Sequence, residues 1–419
     1  MTILTEQKIP WARTYRTLEH GKHNINENTK SSRAPTSGSN CGSHSRDSLA
    51  RTQCQKNKSA MTIFDTNNNK SICILPWIHE HLDLGGNQRP CCEGQILKRP
   101  LAELRKDMLQ GIQPSECQSC YKREALKEIS PRIQETALWI KKGHEPKQGT
   151  HEVLYLDVRN DPTCNLKCKM CGPHASTLWA KEVGAEVSAP EYDLGKYDIK
   201  KLKKVYLAGG EPTYNNEYLS FVKKIMHENP DCEVVINTNL KQLPLPWKNI
   251  ISTMKNLTVT ISCDAIGNLA QYMRFPLVWE TFEENVKFCK ENANFVMFNL
   301  VATNLNTHRI HDTVQWMKNY SNAISILNVD GEIWTHRAVP HTHRHAYIQQ
   351  LEKCLNMKMN NVFGYKFKKS IQSLLHKYSS QDHDEVLQKA LASELDTQDK
   401  KRGLSVGNVD PFLNEWVNK

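Results

Sequence analysis

Val153-Leu-Tyr-Leu-Asp-Val-Arg159, followed after Asn-Asp-Pro-Thr by Cys164-Asn-Leu-Lys-Cys168-Lys-Met-Cys171, decides the reading of the whole chain. The first run is short, apolar and closed by turn residues, which predicts a strand. The second sets three thiols in a compact loop just past the strand's C-terminal end. Thiolates spaced this way can wrap one face of a cubane, whereas iron–sulfur clusters usually take four cysteines. One iron is then left open, and an open position is what a metal needs to bind a reactant. Structural zinc is the alternative, and it would want a fourth Cys or His at short spacing. Between residues 160 and 171 the three cysteines are the only candidates, and His174 is the nearest outside. Lys167 and Lys169 would offset the negative charge of a thiolate-bound cluster.

Working outward, residues 204–208, 233–237, 257–263, 295–303 and 324–329 are further β-rich runs, six with the first. Helical patterns lie between them, at 175–183, 216–228 and 281–292, where Thr281 and Glu284 have capping-box spacing. Such alternation predicts an α/β fold with a parallel sheet and right-handed crossovers. Residues 336–419 read as a C-terminal helical region. Residues 61–150 hold five cysteines in turn-rich segments and read as a small Cys-rich module. Residues 1–60, crowded with Ser, Asn, Thr and Gly, read as a disordered basic tail.

The net charge is +10, and the tail carries most of it, with ten Lys and Arg against four acidic residues. The rest is too nearly neutral to argue for nucleic-acid binding, which is not supported beyond that tail. No stretch reaches the ~18 apolar residues of a membrane span, and no secretory leader is evident, so no membrane partner is expected. Fourteen clustered cysteines then read as metal-binding in a reducing cytoplasm rather than as cross-links.

A second motif, Ala208-Gly209-Gly210-Glu211-Pro212, follows the second predicted strand. Glycine there lets backbone approach a ligand closely, and proline ends strand pairing. With the cysteine loop, this order of motifs resembles the radical S-adenosylmethionine (SAM) superfamily. The resemblance implies a partial (β/α)6 TIM-like barrel over residues 151–335, with its site at the C-terminal ends of the strands. It implies a 4Fe–4S cluster on Cys164, Cys168 and Cys171, with SAM's amino group bound by Gly209, Gly210, Glu211 and Pro212. Thr260-Ile-Ser-Cys-Asp264-Ala-Ile-Gly267 and Tyr272-Met-Arg274-Phe-Pro276 resemble the fourth-strand region of the sulfatase and peptide maturases. There Ser262 or Asp264 would face the ribose and Arg274 the carboxylate, while Asn237 and Asn239 could line the pocket. Met170 stands where the family often has an aromatic residue, and still offers a polarizable face near the adenine.

Cys73-Ile-Leu-Pro-Trp77, Gly86-Asn-Gln-Arg-Pro-Cys91-Cys92 and Cys117-Gln-Ser-Cys120 resemble the auxiliary modules called SPASM and Twitch. The resemblance implies an auxiliary 4Fe–4S cluster on Cys73, Cys91, Cys117 and Cys120, with Cys92 as the alternative to Cys91. A zinc knuckle is the alternative for the group. Cys232, Cys263, Cys289 and Cys354 read as core thiols, and His341, His343 and His345, with His336 nearby, as a solvated loop or helix start in preference to a metal site.

The expected activity is reductive cleavage of SAM to a 5′-deoxyadenosyl radical that abstracts hydrogen from a substrate. The family further implies an electron donor of flavodoxin or ferredoxin type and, from the maturase branch, a peptide or protein side chain as substrate. A nucleic acid or sugar substrate, or a zinc-stapled binding protein on a degenerate barrel, are the alternatives. No catalytic side chain is assigned.

Overall fold

Among the described residues seven strands form one parallel sheet in the order in which the chain makes them. They are β1 (His79–Leu82), β2 (Tyr155–Val158), β3 (Lys204–Leu207), β4 (Glu233–Thr238), β5 (Leu257–Ser262), β6 (Phe295–Ala302) and β7 (Ala323–Asn328). The structure is a computed structural model describing residues 70–417 apart from 126–128, 191, 322, 329–332, 359–363 and 381. The tail expected over residues 1–60 lies outside the described residues. β1 and β7 are the sheet edges and every neighbouring pair is parallel, as a partial barrel requires.

The six expected strands are all present, within two residues of their expected ends. The seventh, β1, is a correction. It comes from the stretch assigned to the Cys-rich module, and His-Glu-His-Leu carries too little apolar signal to read as a strand. Its register, His79 beside Tyr155 and His81 beside Asp157, makes it the neighbour of β2.

Side chains alternate across a strand, so the register sorts them into two faces. One row runs Leu82, Val158, Leu207, Ile236, Val259, Val296, and these residues join the apolar core. Phe221, Val222, Trp247, Phe282, Val286 and Val314 of the crossover helices complete that core. The alternate row runs His81, Asp157, Tyr206, Val235, Thr258, and the next runs Asn237, Thr260, Met297. Sheets covered on both faces are apolar on both. Here the second face mixes polar side chains such as Asp157, Asn237, Thr258 and Thr260 with apolar Val235, Phe295 and Met297.

The crossover helix Asn216–Glu228 shows why these segments are helical. Asn215 caps it by accepting from Tyr218 N at 2.9 Å, and Tyr218, Phe221, Val222 and Ile225 form its buried stripe. Each such side chain contributes about 1.5–3 kcal/mol by leaving water. The helix expected from Thr281 starts at Trp279 after Val278 with no side-chain cap, so Thr281 and Glu284 are not its capping box. Beyond residue 341 the chain is helical, in Arg344–Leu355, Gly364–Tyr378, Glu385–Arg402 and Pro411–Val417 as its longer helices. Asp384 caps the third of these at its start, and Gly403 ends it in the left-handed conformation.

The chain divides into two compact units along other lines than composition suggested. Among the described residues, one comprises 70–77 with 98–150, and the other comprises 78–97 with 151–417. The stretch bearing β1, Cys91 and Cys92 therefore belongs with the barrel, as does the C-terminal helical region. No described helix is long and apolar enough to cross a membrane.

Candidate metal centre

The cysteine loop leaves the C-terminal end of β2, and its backbone groups are satisfied from several sides. Lys167 N and Lys169 N donate to Phe275 O at 2.6 Å and Met273 O at 2.7 Å. Lys167 O accepts from Arg402 at 2.9 Å and Lys169 O from Gln398 at 3.3 Å. Between them, Cys168 O accepts from Trp179 Nε1 at 2.9 Å and from Cys171 N at 3.1 Å. A loop with its polar backbone accounted for in this way is held in one shape.

That shape gathers the thiols. Cys168 is buried, Cys164 half-buried and Cys171 exposed. A hydrogen bond with Cys171 draws the Cys168 thiol down to about 7 against burial, with Arg274 and Arg402 pulling the same way. Burial pushes Cys164 up to about 12, with Cys168 adding to it. Asn239 Nδ2 approaches Cys164 Sγ at 3.8 Å and bonds Asn165 Oδ1 at 2.9 Å. Among the described residues no three His, Cys, Asp or Glu groups are placed to hold one metal ion. A cubane asks for a different arrangement, with one thiolate at each of three iron corners.

Arg274 faces this group. It donates to Asp264 Oδ2 at 2.5 Å, while its buried Nε has no partner. Burial disfavours its charge, and Cys168, Asp264 and Cys171 more than offset that. Asp264 is committed on both oxygens, since Oδ1 accepts Val301 N at 2.9 Å. Asp264 thus braces Arg274 with one oxygen and β6 with the other. Ser262 ends β5 half-buried beside Asn299 of β6, and Asn237 accepts from that Asn299 at 3.2 Å.

The glycine loop is required for a reason the sequence did not disclose. A Cβ on Gly210 would stand 2.2 Å from Thr163 O, and one on Gly209, at φ +107°, 2.7 Å from Asp161 O. Gly210 N and Glu211 N donate to Asp161 O and Thr163 O at 2.7 Å each. The close approach is thus to the backbone that carries Cys164. The Glu211 carboxylate is buried and takes bonds from Thr213, Thr238 and Asn239 N, the last two at 2.6 and 2.7 Å, tying β3 to β4. Pro212 is buried at the start of the turn that follows.

Lys167 and Lys169 do not serve as free charges for a cluster. Lys167 pairs with Glu182, and the fully buried Lys169 with Asp399. Sequence reading also missed a polar group on β1 and β2. Asp157 is fully buried, takes Arg159 Nε at 2.8 Å, and lies 3.3 Å from His81 Nδ1 and 3.8 Å from His79 Nε2. Despite burial, Arg159 and the two imidazoles hold its carboxyl well below the usual range. An aspartate inside the apolar run of β2 was the available signal.

In the smaller unit Cys73, Cys117 and Cys120 are all buried. Burial pushes the Cys117 thiol up to about 12, with Cys120 and Glu116 adding to it, and Cys73 rises for the same reason with help from Cys117 and Cys120. Cys91 belongs to the other unit, as does Cys92, whose charge acts on Arg159. Cys232, Cys263, Cys289 and Cys354 are buried, three of them with thiols raised by burial.

Residues 162–317 match the family described as the Radical SAM superfamily. A GTP 3′,8-cyclase of Sulfurovum sp. (strain NBC37-1) is 28% identical over 93 residues, 22% of this chain and 28% of that protein's length. Among solved structures, anSMEcpe with bound AdoMet is 14% identical at a TM-score of 0.37, covering 48% of this chain and 57% of that one. Streptococcus suis SuiB bound to precursor peptide SuiA is 16% identical at 0.36, covering 62% and 65%. The matched stretch, residues 162–317, opens just before the cysteine loop.

Proposed function

We propose that the chain is a radical SAM enzyme that reductively cleaves SAM and abstracts hydrogen from a substrate. The observation that carries this is three thiols on one clamped loop, facing a buried arginine whose Nε is unspent. Cys164, Cys168 and Cys171 would hold the cluster, and the donor set suits it: thiols, one already drawn toward thiolate. A 4Fe–4S cluster with one uncommitted iron supplies, when bound, the electron that SAM cleavage needs.

The chain's own residues bind and orient. Arg274, steadied by Asp264, supplies a fixed cation beside the thiols. Gly209 and Gly210 let the loop after β3 lie against the cysteine loop, and Glu211 fixes that loop to β4. Ser262, Asn237 and Asn299 offer hydrogen-bonding groups on the second face of the sheet. The substrate class, a peptide or protein side chain, rests on the maturase resemblance of residues 260–276. Cys73, Cys117 and Cys120 supply thiols for an auxiliary cluster in the same reading, and a flavodoxin- or ferredoxin-type donor supplies electrons.

The test is anaerobic reconstitution with iron and sulfide, then reduction in the presence of SAM. Formation of 5′-deoxyadenosine and methionine is expected. Zinc in place of iron, with SAM intact, would leave a zinc-stapled binding protein.

A further inference from the structure

We propose that Asp399 and Arg402, on the helix Glu385–Arg402, are positioning residues that clamp the cysteine loop and set the charge felt at Cys168. This rests on the reading of Cys164, Cys168 and Cys171 as cluster ligands. The helix lies far outside the matched domain in sequence, yet it reaches the loop's backbone on both sides of Cys168. Arg402 donates to Lys167 O at 2.9 Å, and Gln398 to Lys169 O at 3.3 Å. Arg402 also grips Glu182 at 2.7 Å, with its guanidinium 5.0 Å from the Trp179 ring centroid. Trp179 and Glu182 share one helix, and Trp179 itself holds Cys168 O.

Asp399 works from the other flank. It pairs with the buried Lys169 ammonium, takes Tyr272 Oη at 3.1 Å and Val406 N at 3.1 Å. Lys169 Nζ also sits 4.3 Å from the Tyr272 ring centroid. Tyr272 precedes Met273, whose carbonyl holds Lys169 N. The helix therefore ties together the cysteine loop and the segment that carries Arg274. Both lysines beside Cys168 pair with carboxylates, and Arg402 and Arg274, though themselves braced by Glu182 and Asp264, are the cations that act on that thiol. Groups just behind a metal's ligands orient them and tune the site's potential.

Two single substitutions in the full chain separate positioning from general support. Asp399→Asn leaves the Lys169 charge uncompensated and should move the cluster's midpoint potential positive. Arg402→Gln removes a cation and should move it negative. Loss of structure alone gives no reason for opposite signs. Hydrogen exchange at amides 167–171 and 273–275 should quicken about tenfold or more in both variants. Potentials that move together or stay fixed overturn the proposal, as does unchanged exchange in that loop. Should Asp399→Asn fail to fold, the double variant Lys169→Met/Asp399→Leu removes both charges at similar volume. It should keep the wild-type potential while exchange quickens, and wild-type exchange there overturns the clamp. A wild-type chain that binds no iron sinks the cluster reading instead, and the exchange comparison, which needs no cluster, still decides the clamp.

Discussion

The two cysteine groups differ in how they are built and in what their arginines have left to give. Cys164, Cys168 and Cys171 sit on one short loop whose shape comes from backbone bonds. Cys73 comes from one segment and Cys117 and Cys120 from another, and the packing of a small unit places them. In that unit Arg132 is spent: Nε and Nη2 go to Glu124 at 2.8 and 2.5 Å, and Nη1 to Ile72 O at 2.6 Å. Arg274 of the barrel keeps a buried Nε with no partner. A buried donor left over costs free energy unless a ligand takes it. The loop thus has the unfinished chemistry of a binding site, and the smaller unit has an arginine already satisfied within itself.

Exchanging all three loop cysteines for alanine should lower SAM cleavage by roughly three orders of magnitude or more. Cys117→Ala/Cys120→Ala should leave cleavage within about tenfold of wild type while removing about four of eight irons, since the cysteine loop still holds its own cubane. Iron analysis beside 5′-deoxyadenosine assay reads both. Equal losses from the two sets would erase the distinction.

Gly210→Val should come next. A Cβ 2.2 Å from Thr163 O forces the glycine loop off the cysteine loop. A cost of about 3 kcal/mol is expected, with iron lost from the loop rather than only SAM affinity. Thermal unfolding and iron content check this, and intact iron with weak SAM binding would return the glycine to a ligand-facing role.

The arginines give smaller, contrasting effects. Arg274→Met should weaken SAM binding about tenfold, the worth of one charge-assisted bond. Arg132→Met should cost about 2 kcal/mol of stability by orphaning Glu124 and leave SAM affinity unchanged. Calorimetric titration with SAM and thermal melts distinguish them.

Acid should act on the barrel unit in a milder way. Asp410 accepts from His308 at 2.9 Å and Arg309 at 3.0 Å, and His308 leads in holding its carboxyl down to about 2 against burial. A depressed carboxyl stabilises the fold above its unfolded pKa, and that share is lost as pH falls from about 4 through about 2. Asp410→Asn should flatten the barrel unit's unfolding over that window, followed by tryptophan fluorescence.

Much of this was legible in the sequence because it is local. The three-and-two cysteine spacing, the glycine pair after a strand and the six apolar runs each lie within a few residues. β1 was not, because half its pattern is histidine and its partner strand lies far along the chain, at Tyr155–Val158. Lys169 read as a charge for the cluster because its partner, Asp399, is supplied by a helix whose sequence says nothing of its target. Ser262 or Asp264 read as facing the ribose, but the bonds Asp264 makes within the protein are not visible in local pattern. Its commitment to Val301 N and Arg274 is a tertiary fact. Gly210 read as a site of close backbone approach, and its packing against Thr163 O is a tertiary contact that the local pattern does not carry.

The most direct test of the account uses the full chain carrying Cys117→Ala/Cys120→Ala, so that iron sits on the cysteine loop alone. The reduced protein is followed by electron paramagnetic resonance before and after adding SAM. An open iron predicts a 4Fe–4S signal whose g-values shift when SAM binds. A loop that holds no iron, or a cluster whose spectrum ignores saturating SAM, would contradict it.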